Sequence, residues 1–312
     1  MRRKTIGFVL LLLLNTMIVG CSQNSNEINQ ENNEAENTLS IYTTLFPIED
    51  FTKKIGSSHV NVTSIIPPGT NAHTYEPTTK TMIEIAEGDA FIFSSENMEP
   101  YAHKITEALD KENVKMVEAS NGIDMLGHIE ESEDKHEHGD IDPHVWIDPI
   151  LSITLAENIK NCLIELKPIA AEEFEANFNT LKMQLEILDG DFYKLIKGKS
   201  SPKILVSHAG YGYWEKRYGI EQISVSGLSS TNEPSQQKLQ EIIDIANENN
   251  IKHMIFEQNI TTKVAEVIKN EIDAEPLRIH NLSVLTEEDI KNNEDYFSLM
   301  EKNIETLKIA LQ

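Results

Sequence analysis

From residue 39 onward, short apolar segments alternate with longer amphipathic ones, and this alternation constrains the fold more than any other feature of the chain. Such a pattern is typical of parallel sheets that are covered by helices. Four strand candidates precede residue 120 and four follow residue 200, namely 39–46, 60–66, 89–94, 114–119, 202–207, 220–226, 251–257 and 276–282. The sequence therefore predicts an α/β protein of two lobes, each with a four-stranded mainly parallel sheet flanked by helices.

Between the two groups of strands lies a long stretch with helical periodicity, which Pro168 should interrupt or restart. The part after the proline would give about 27 residues of helix, or roughly 40 Å, which is enough to run across two small domains. We therefore expect an N-terminal lobe over 39–168, a rigid connecting helix over 169–199 and a C-terminal lobe over 200–312. The alternative is two ordinary helices packed on one domain.

The N-terminus has the composition of a bacterial lipoprotein precursor. Residues 1–20 begin with three basic residues and continue as an apolar run too short for a membrane span, which predicts a signal peptide. Cys21 follows directly, where such precursors are cleaved and diacylated, although a plain secretory signal with an incidental cysteine is the alternative. Residues 21–38 are polar and rich in Asn and Glu, which predicts a disordered tether. We expect an extracytoplasmic protein, anchored to the cell membrane by lipid on Cys21.

The charge and the cysteines exclude other classes of protein. A formal charge of −24, which becomes three units more negative without the leader, argues against nucleic acid as a partner. The only other cysteine is Cys162, so no intramolecular disulfide is expected once Cys21 is lipidated. The helical spacing around Cys162 indicates a buried, small hydrophobic residue.

Three histidines occupy positions beyond the carboxyl ends of strands, where open parallel sheets bind their ligands. His73 lies in the loop after the second strand, His208 directly follows the fifth, and His144 lies on the segment that leads into the connector. Each histidine alone is weak evidence, but three neutral imidazoles with a fourth position open are a familiar ligand set for accessible zinc. Asp142 and Asp148 flank His144 and are expected to accept hydrogen bonds that orient its ring.

The segments PPGTNAHTYEP, DPHVWIDP and SHAGYGYWEKRYG carry a resemblance to a known family. In order and spacing they resemble the metal-binding segments of the zinc and manganese substrate-binding lipoproteins of ABC transporters, the cluster A-I group that includes ZnuA and AdcA. The resemblance covers the chain from about residue 39 to the C-terminus. It implies two α/β lobes joined by a rigid helix, with the metal held between them by His73, His144 and His208.

The third of these positions distinguishes the metals within the family. Zinc-type members carry His there and manganese-type members carry Glu, so His208 indicates zinc. The preference agrees with coordination chemistry, because nitrogen donors favour zinc whereas Mn²⁺ prefers carboxylate oxygen.

The fourth coordination position departs from the family pattern. Many members have an acidic ligand where this chain has Ser283, and serine is a poor zinc ligand. We expect the fourth position to be filled by water, by His280 from the same strand or by Glu257 at the end of the preceding strand.

A second, smaller group of histidines lies in the acidic segment EESEDKHEHGD and just before it. The segment is either a solvated acidic loop or an auxiliary metal-capturing loop that contains His136, His138 and His128. The corresponding loop is longer in zinc-type members of the family.

The chain contains no Walker-type phosphate loop and no permease-like spans, so partners must power and conduct any transport. We expect a monomeric, non-enzymatic protein that binds Zn²⁺ as its transported ligand with high affinity and delivers it to an ABC permease and its ATPase. The alternatives are a lipoprotein for manganese or another divalent metal with an adhesin role, and a zinc hydrolase that activates water.

Overall fold

The computed structural model describes residues 38–127, 141–231, 234–260 and 263–312. Several predicted features lie outside the described residues. They are the signal peptide, the lipidation site Cys21, the tether up to residue 37 and the histidines His128, His136 and His138.

The first sheet has four parallel strands in the order β2-β1-β3-β4. The strands are β1 (Leu39–Thr43), β2 (Val60–Ser64), β3 (Ala90–Phe93) and β4 (Lys115–Glu118). The helices around them are α1 (Phe46–Gly56), α2 (Thr79–Ala86) and α3 (Pro100–Ala108). Every residue of β3 is buried, as expected for a central parallel strand that is covered on both faces.

A short ribbon and two long helices follow. The ribbon pairs β5 (Leu126–Gly127) with β6 (Ile141–Asp142) in antiparallel fashion. Two residues are too few to show an alternating pattern, so the sequence did not reveal these strands. After a 3₁₀ turn over Val145–Ile147, α4 (Pro149–Leu166) begins.

A 3₁₀ turn over Pro168–Ala170 separates α4 from α5 (Ala171–Ile196). Pro168 thus interrupts the helical stretch where the sequence placed the break. The 26 residues of α5 bury apolar side chains at helical spacing along one face. They are Phe174, Phe178, Leu181, Leu185, Leu188, Phe192 and Leu195.

The second sheet is also parallel, in the order β10-β9-β7-β8. Its strands are β7 (Lys203–His208), β8 (Glu221–Ser226), β9 (His253–Glu257) and β10 (Glu275–Ile279). Its helices are α6 (Gly212–Tyr218), α7 (Gln236–Glu248), α8 (Lys263–Glu271), α9 (Glu287–Lys291) and α10 (Tyr296–Ala310). Helix α5 contacts α1 beside the first sheet and both α6 and α10 beside the second, and so connects the two halves.

Both sheets have the same doubly wound order, in which the first and third strands of each half are neighbours. Ligands of such sheets bind beyond the carboxyl ends of the strands, at the point where the order reverses. In the first half this point lies between β1 and β3, and in the second half between β7 and β9.

The predicted fold class is confirmed, with two four-stranded parallel sheets flanked by helices. Three strands end at least two residues earlier than predicted. They are β1, which ends at Thr43 rather than at 46, β2, which ends at Ser64 rather than at 66, and β10, which ends at Ile279 rather than at 282. After β10 the chain turns, and Leu282 adopts a φ of +60°. His280 therefore lies beyond the strand rather than in it. Within the part of the chain that the structure describes, no helix combines the length and the apolar character that a membrane span requires.

Candidate metal centre

Three histidine side chains meet between the two sheets. Nε2 of His144 lies 3.3 Å from Nε2 of His73 and 3.3 Å from Nε2 of His208. The ligand atoms of the three rings lie within 4.8 Å of one another, and no other group of three His, Cys, Asp or Glu residues in the described ranges is arranged in this way. A tetrahedral zinc ion with Zn–N bonds of roughly 2.05 Å needs ligand nitrogens roughly 3.3 Å apart. Both separations from His144 therefore match the edge of a zinc coordination tetrahedron.

Each ring is positioned by a different element. His208 is the last residue of β7, is buried, and pairs with Ser226 of β8. His73 lies in a 3₁₀ turn, where its backbone N–H donates to the Asn71 side chain at 3.0 Å. The Asn71 amide in turn donates to the hydroxyl of Ser230 in the second half, at 3.1 Å. The turn that carries His73 is thereby tied to the half that carries His208.

His144 is held by the carboxylate of Asp142, which ends the ribbon strand β6. Oδ1 of Asp142 lies 2.8 Å from Nδ1 of His144 and accepts the backbone N–H of His144 at 3.0 Å. An ionised carboxylate only accepts, so Nδ1 carries the proton and the Nε2 lone pair faces the other histidines.

The expectation that Asp148 also orients His144 is wrong. Its carboxylate is the N-cap of α4 and accepts the backbone N–H groups of Ile150 and Leu151. It also accepts from Nε of Arg217, at 2.7 Å. Asp148 therefore belongs to the helix start and not to the metal centre.

Glu257 lies behind His208 and outside the group of three ring nitrogens. Its Oε1 is 2.7 Å from Nδ1 of His208, although that nitrogen makes no well-aligned hydrogen bond. Burial by itself raises the pKa of Glu257, but the close contacts with His208 and Asn281 oppose it and hold that pKa below its ordinary value. The side chain is fully buried, like the ring that it faces.

Both ring nitrogens of His280 have other partners. Nδ1 accepts the backbone N–H of Leu282 at 2.9 Å, and Nε2 lies 3.2 Å from the carboxylate of Asp289. The hydroxyl of Ser283 donates to the side-chain oxygen of Asn281 at 2.8 Å. In this arrangement none of the residues considered for the fourth position belongs to the group formed by the three histidines.

The environment of His73 favours the neutral, metal-binding form of its ring. Burial lowers the pKa of His73 to about 3, and charges on His144 and His208 act in the same direction. The ring therefore keeps its lone pair at neutral pH, as a zinc ligand must.

Two glycines that the sequence analysis did not single out shape the centre. A Cβ on Gly210 would lie 2.7 Å from both Cε1 and Nε2 of His208. A Cβ on Gly212 would lie 2.6 Å from Oδ2 of Asp142. The signal was the close spacing of these glycines after His208, in the segment SHAGYGYW.

Several known proteins are similar to this chain over most of its length. A family model described as the periplasmic zinc-uptake complex component A, ZnuA, matches residues 41–310. The zinc-binding lipoprotein AdcA of Streptococcus pneumoniae is 34% identical over 311 residues, which cover 98% of this chain and 60% of AdcA. The high-affinity zinc uptake system protein ZnuA of Bacillus subtilis is 29% identical over 320 residues, covering 100% of this chain and 99% of that protein.

A solved structure extends the likeness to three dimensions. The crystal structure of the Zn(II)-bound ZnuA-like domain of S. pneumoniae AdcA superposes with a TM-score of 0.75 at 33% identity. The match covers 88% of this chain and 99% of that domain. The chain thus spans about 60% of the length of full AdcA and nearly all of its ZnuA-like domain.

Proposed function

Because the chain belongs to the ZnuA family of zinc-uptake components, we propose that it binds Zn²⁺ with high affinity outside the cytoplasm and delivers it to an ABC-type importer. The resemblance inferred from the three histidine segments is confirmed by the family match. The observation that carries the proposal is the pair of 3.3 Å separations between ring nitrogens, which equal the edge of a zinc coordination tetrahedron.

We assign the metal ligands to Nε2 of His73, His144 and His208, with water at the fourth position. Three neutral imidazoles support zinc over manganese, because Mn²⁺ favours oxygen donors. A water ligand is consistent with the positions of Glu257 and His280, whose polar atoms are engaged elsewhere. The bound ion is cargo, so the open position also provides a way for the ion to leave.

The partners and the location extend this proposal. A component of an uptake complex requires a membrane pore and an energy source, and we assign these roles to an ABC permease and its ATPase. We further propose that the protein acts as a monomer, held at the membrane by lipid on Cys21, with a lobe over 39–168, a connector over 169–199 and a lobe over 200–312.

A binding role is supported over hydrolysis by the carboxylates near the histidines. A zinc hydrolase needs a general base that faces the metal-bound water. Among the described residues, the two carboxylates in contact with the three histidines, Asp142 and Glu257, both face an Nδ1 atom on the far side of a ring.

The test is competition for Zn²⁺ and Mn²⁺ against a chromophoric chelator, with the full chain and three variants. His208→Gln should lose at least tenfold in zinc affinity, while His103→Gln, at an exposed histidine on α3, should match the unaltered protein. His208→Glu should shift the zinc-to-manganese affinity ratio toward manganese. Ester hydrolysis that increases with zinc occupancy would overturn the binding role.

A further inference from the structure

The carboxylate of Glu257 faces donor groups from three directions. Oε1 lies 2.7 Å from Nδ1 of His208 and accepts the hydroxyl of Tyr211 at 3.1 Å. Oε2 accepts the side-chain amide of Asn281 at 3.0 Å. A buried carboxylate surrounded by donors is held in its ionised form and in one orientation. To reach the ion directly, Glu257 would have to give up all of these contacts.

The register of the second sheet explains why Glu257 meets His208. Val206 of β7 pairs with Ile255 of β9, so two further residues along each strand bring His208 and Glu257 to the same level. Both residues end their strands at the point where the strand order reverses. The contact is therefore built from two rigid strands and not from loops.

Asn281 holds Glu257 in place from the next segment. Its side-chain oxygen accepts from Nε2 of Gln258 at 2.9 Å and from the backbone N–H of Ser283 at 3.0 Å. These donors leave the amide nitrogen to face Glu257. The backbone oxygen of Asn281 accepts Nε1 of Trp146 at 2.9 Å, and that indole ring packs 5.2 Å from the ring of His144. Asn281 thus contacts both Glu257, which lies beside His208, and Trp146, which packs against His144.

A carboxylate lies beside Nδ1 in two of the three rings. Asp142 hydrogen-bonds Nδ1 of His144 at 2.8 Å, whereas Oε1 of Glu257 lies 2.7 Å from Nδ1 of His208 without a well-aligned hydrogen bond. Both rings therefore present Nε2 to the ion. Both carboxylates are buried, so each restricts the rotation of the ring that it contacts.

We propose that Glu257 is a positioning residue that sets zinc affinity through His208, by fixing the orientation of the ring and the nitrogen that faces the ion. Asn281 holds the Glu257 carboxylate in its orientation through a hydrogen bond. The inference rests on the proposed zinc-binding function.

The experiment compares Glu257→Gln, Asn281→Ala and the unaltered full chain. The matched control is Glu275→Gln, an exposed glutamate on β10 of the same sheet. Zinc affinity is measured by chelator competition, and ligand number and Zn–N distances by X-ray absorption at the zinc edge. Glu257→Gln should bind zinc about 10- to 100-fold more weakly with an unchanged ligand set. Asn281→Ala keeps the carboxylate and should lose less, about severalfold.

Each other outcome has a defined meaning. Unchanged affinity in both variants, even with lowered thermal stability of the metal-free protein, would reduce Glu257 to a structural residue and overturn the inference. Loss of one oxygen ligand in Glu257→Gln would also overturn it, because Glu257 would then bind the ion itself. If Glu257→Gln does not fold, Asn281→Ala decides the same question. Failure of the unaltered chain to bind zinc would instead refute the proposed function.

Discussion

The space on the metal-facing side of His208 is kept free by a residue without a side chain. A Cβ on Gly210 would lie 2.7 Å from Nε2, the atom that faces the other two histidines. Contacts under 3.0 Å require something to move, and the nearest atoms belong to a ring held on its far side by Glu257. At the scale of single residues, the missing side chain of Gly210 therefore matters to the candidate centre as much as the ligands do.

We expect Gly210→Ala to weaken zinc binding at least tenfold, because the added methyl would displace the His208 ring or occupy the position of the ion. Isothermal titration calorimetry of the full chain would measure the change. The matched control is Gly190→Ala, where a Cβ meets no atom within 4 Å. Equal zinc affinity in the two alanine variants would contradict this role of Gly210.

Another buried carboxyl group, Glu99, lies at the strand-order reversal of the first sheet. It accepts the hydroxyl of Thr44 and the backbone N–H groups of Ser94 and Ser95. Burial nevertheless raises the pKa of Glu99 to about 7 from its ordinary value of 4.5, because desolvation of the charge outweighs these donors. The folded protein therefore holds a proton on Glu99 that the unfolded chain releases at lower pH.

The sign of the resulting pH dependence follows from that difference. As pH rises from about 4.5 to about 7, the unfolded chain loses the proton first, so Glu99 lowers the free energy of unfolding over this window. The contribution levels off above pH 7. Glu99→Gln cannot titrate, so the variant should lose about 2 kcal/mol less stability than the unaltered protein between pH 5 and pH 8.

Urea unfolding of the metal-free protein at several pH values would measure this effect. Glu112→Gln, at an exposed glutamate of the same half, serves as the control and should keep the original pH dependence. A Glu99→Gln variant whose stability falls with pH as steeply as that of the control would show that the carboxyl group titrates normally in the folded state.

At the scale of secondary structure, the helix α5 carries the connection between the halves. It packs on α1 of the first half and on α6 and α10 of the second, with a continuous apolar face of phenylalanines and leucines. At 1.5 Å per residue its 26 residues extend roughly 39 Å. A helix supported along its whole length resists bending, which favours small movements between the halves.

Gly190 is the weak point of α5, because it lies inside the helix and its missing side chain has no packing role. Glycine in a helix interior costs up to about 1 kcal/mol relative to alanine. We expect Gly190→Ala to raise the free energy of unfolding by about 0.5–1 kcal/mol and the melting temperature by roughly 2 °C. Calorimetric melting of the metal-free protein would measure this, and a lower melting temperature would contradict it.

At the scale of the whole molecule, the candidate zinc centre joins elements from both halves. His73 follows the first sheet, His208 ends a strand of the second, and His144 lies just before the long helices. The Asn71–Ser230 hydrogen bond and the Trp146–Asn281 hydrogen bond cross the same junction. An ion bound by all three rings should therefore stabilise the folded arrangement of both halves together.

Removal of zinc should accordingly destabilise the whole protein. At a free zinc concentration 100 times the dissociation constant, binding adds about 2.7 kcal/mol to the free energy of unfolding. Calorimetry with zinc and with excess EDTA should show a higher melting temperature in zinc, while His73→Ala should lose most of the difference. An increase of the same size in the variant would place the stabilising zinc elsewhere.

The sequence by itself determined the fold class, the eight main strands, the break at Pro168 and the three histidines that meet in the structure. These features depend on residues that are close together in the chain, namely apolar periodicity, proline geometry and the position of a residue after a strand. They can therefore be recognised in the sequence. The periodic pattern extended β10 too far, because the turn at Leu282 depends on a backbone conformation that apolar spacing does not record.

Only the tertiary structure decided what the residues around the histidines do. Asp142 and Asp148 flank His144 in the sequence, yet one holds its ring and the other caps a helix. Glu257 was a candidate ligand because of its type, but the pairing of β7 with β9 places it behind His208. Such roles depend on strand register and on the direction of side chains between residues far apart in the chain, and these arise only when the sheets pack.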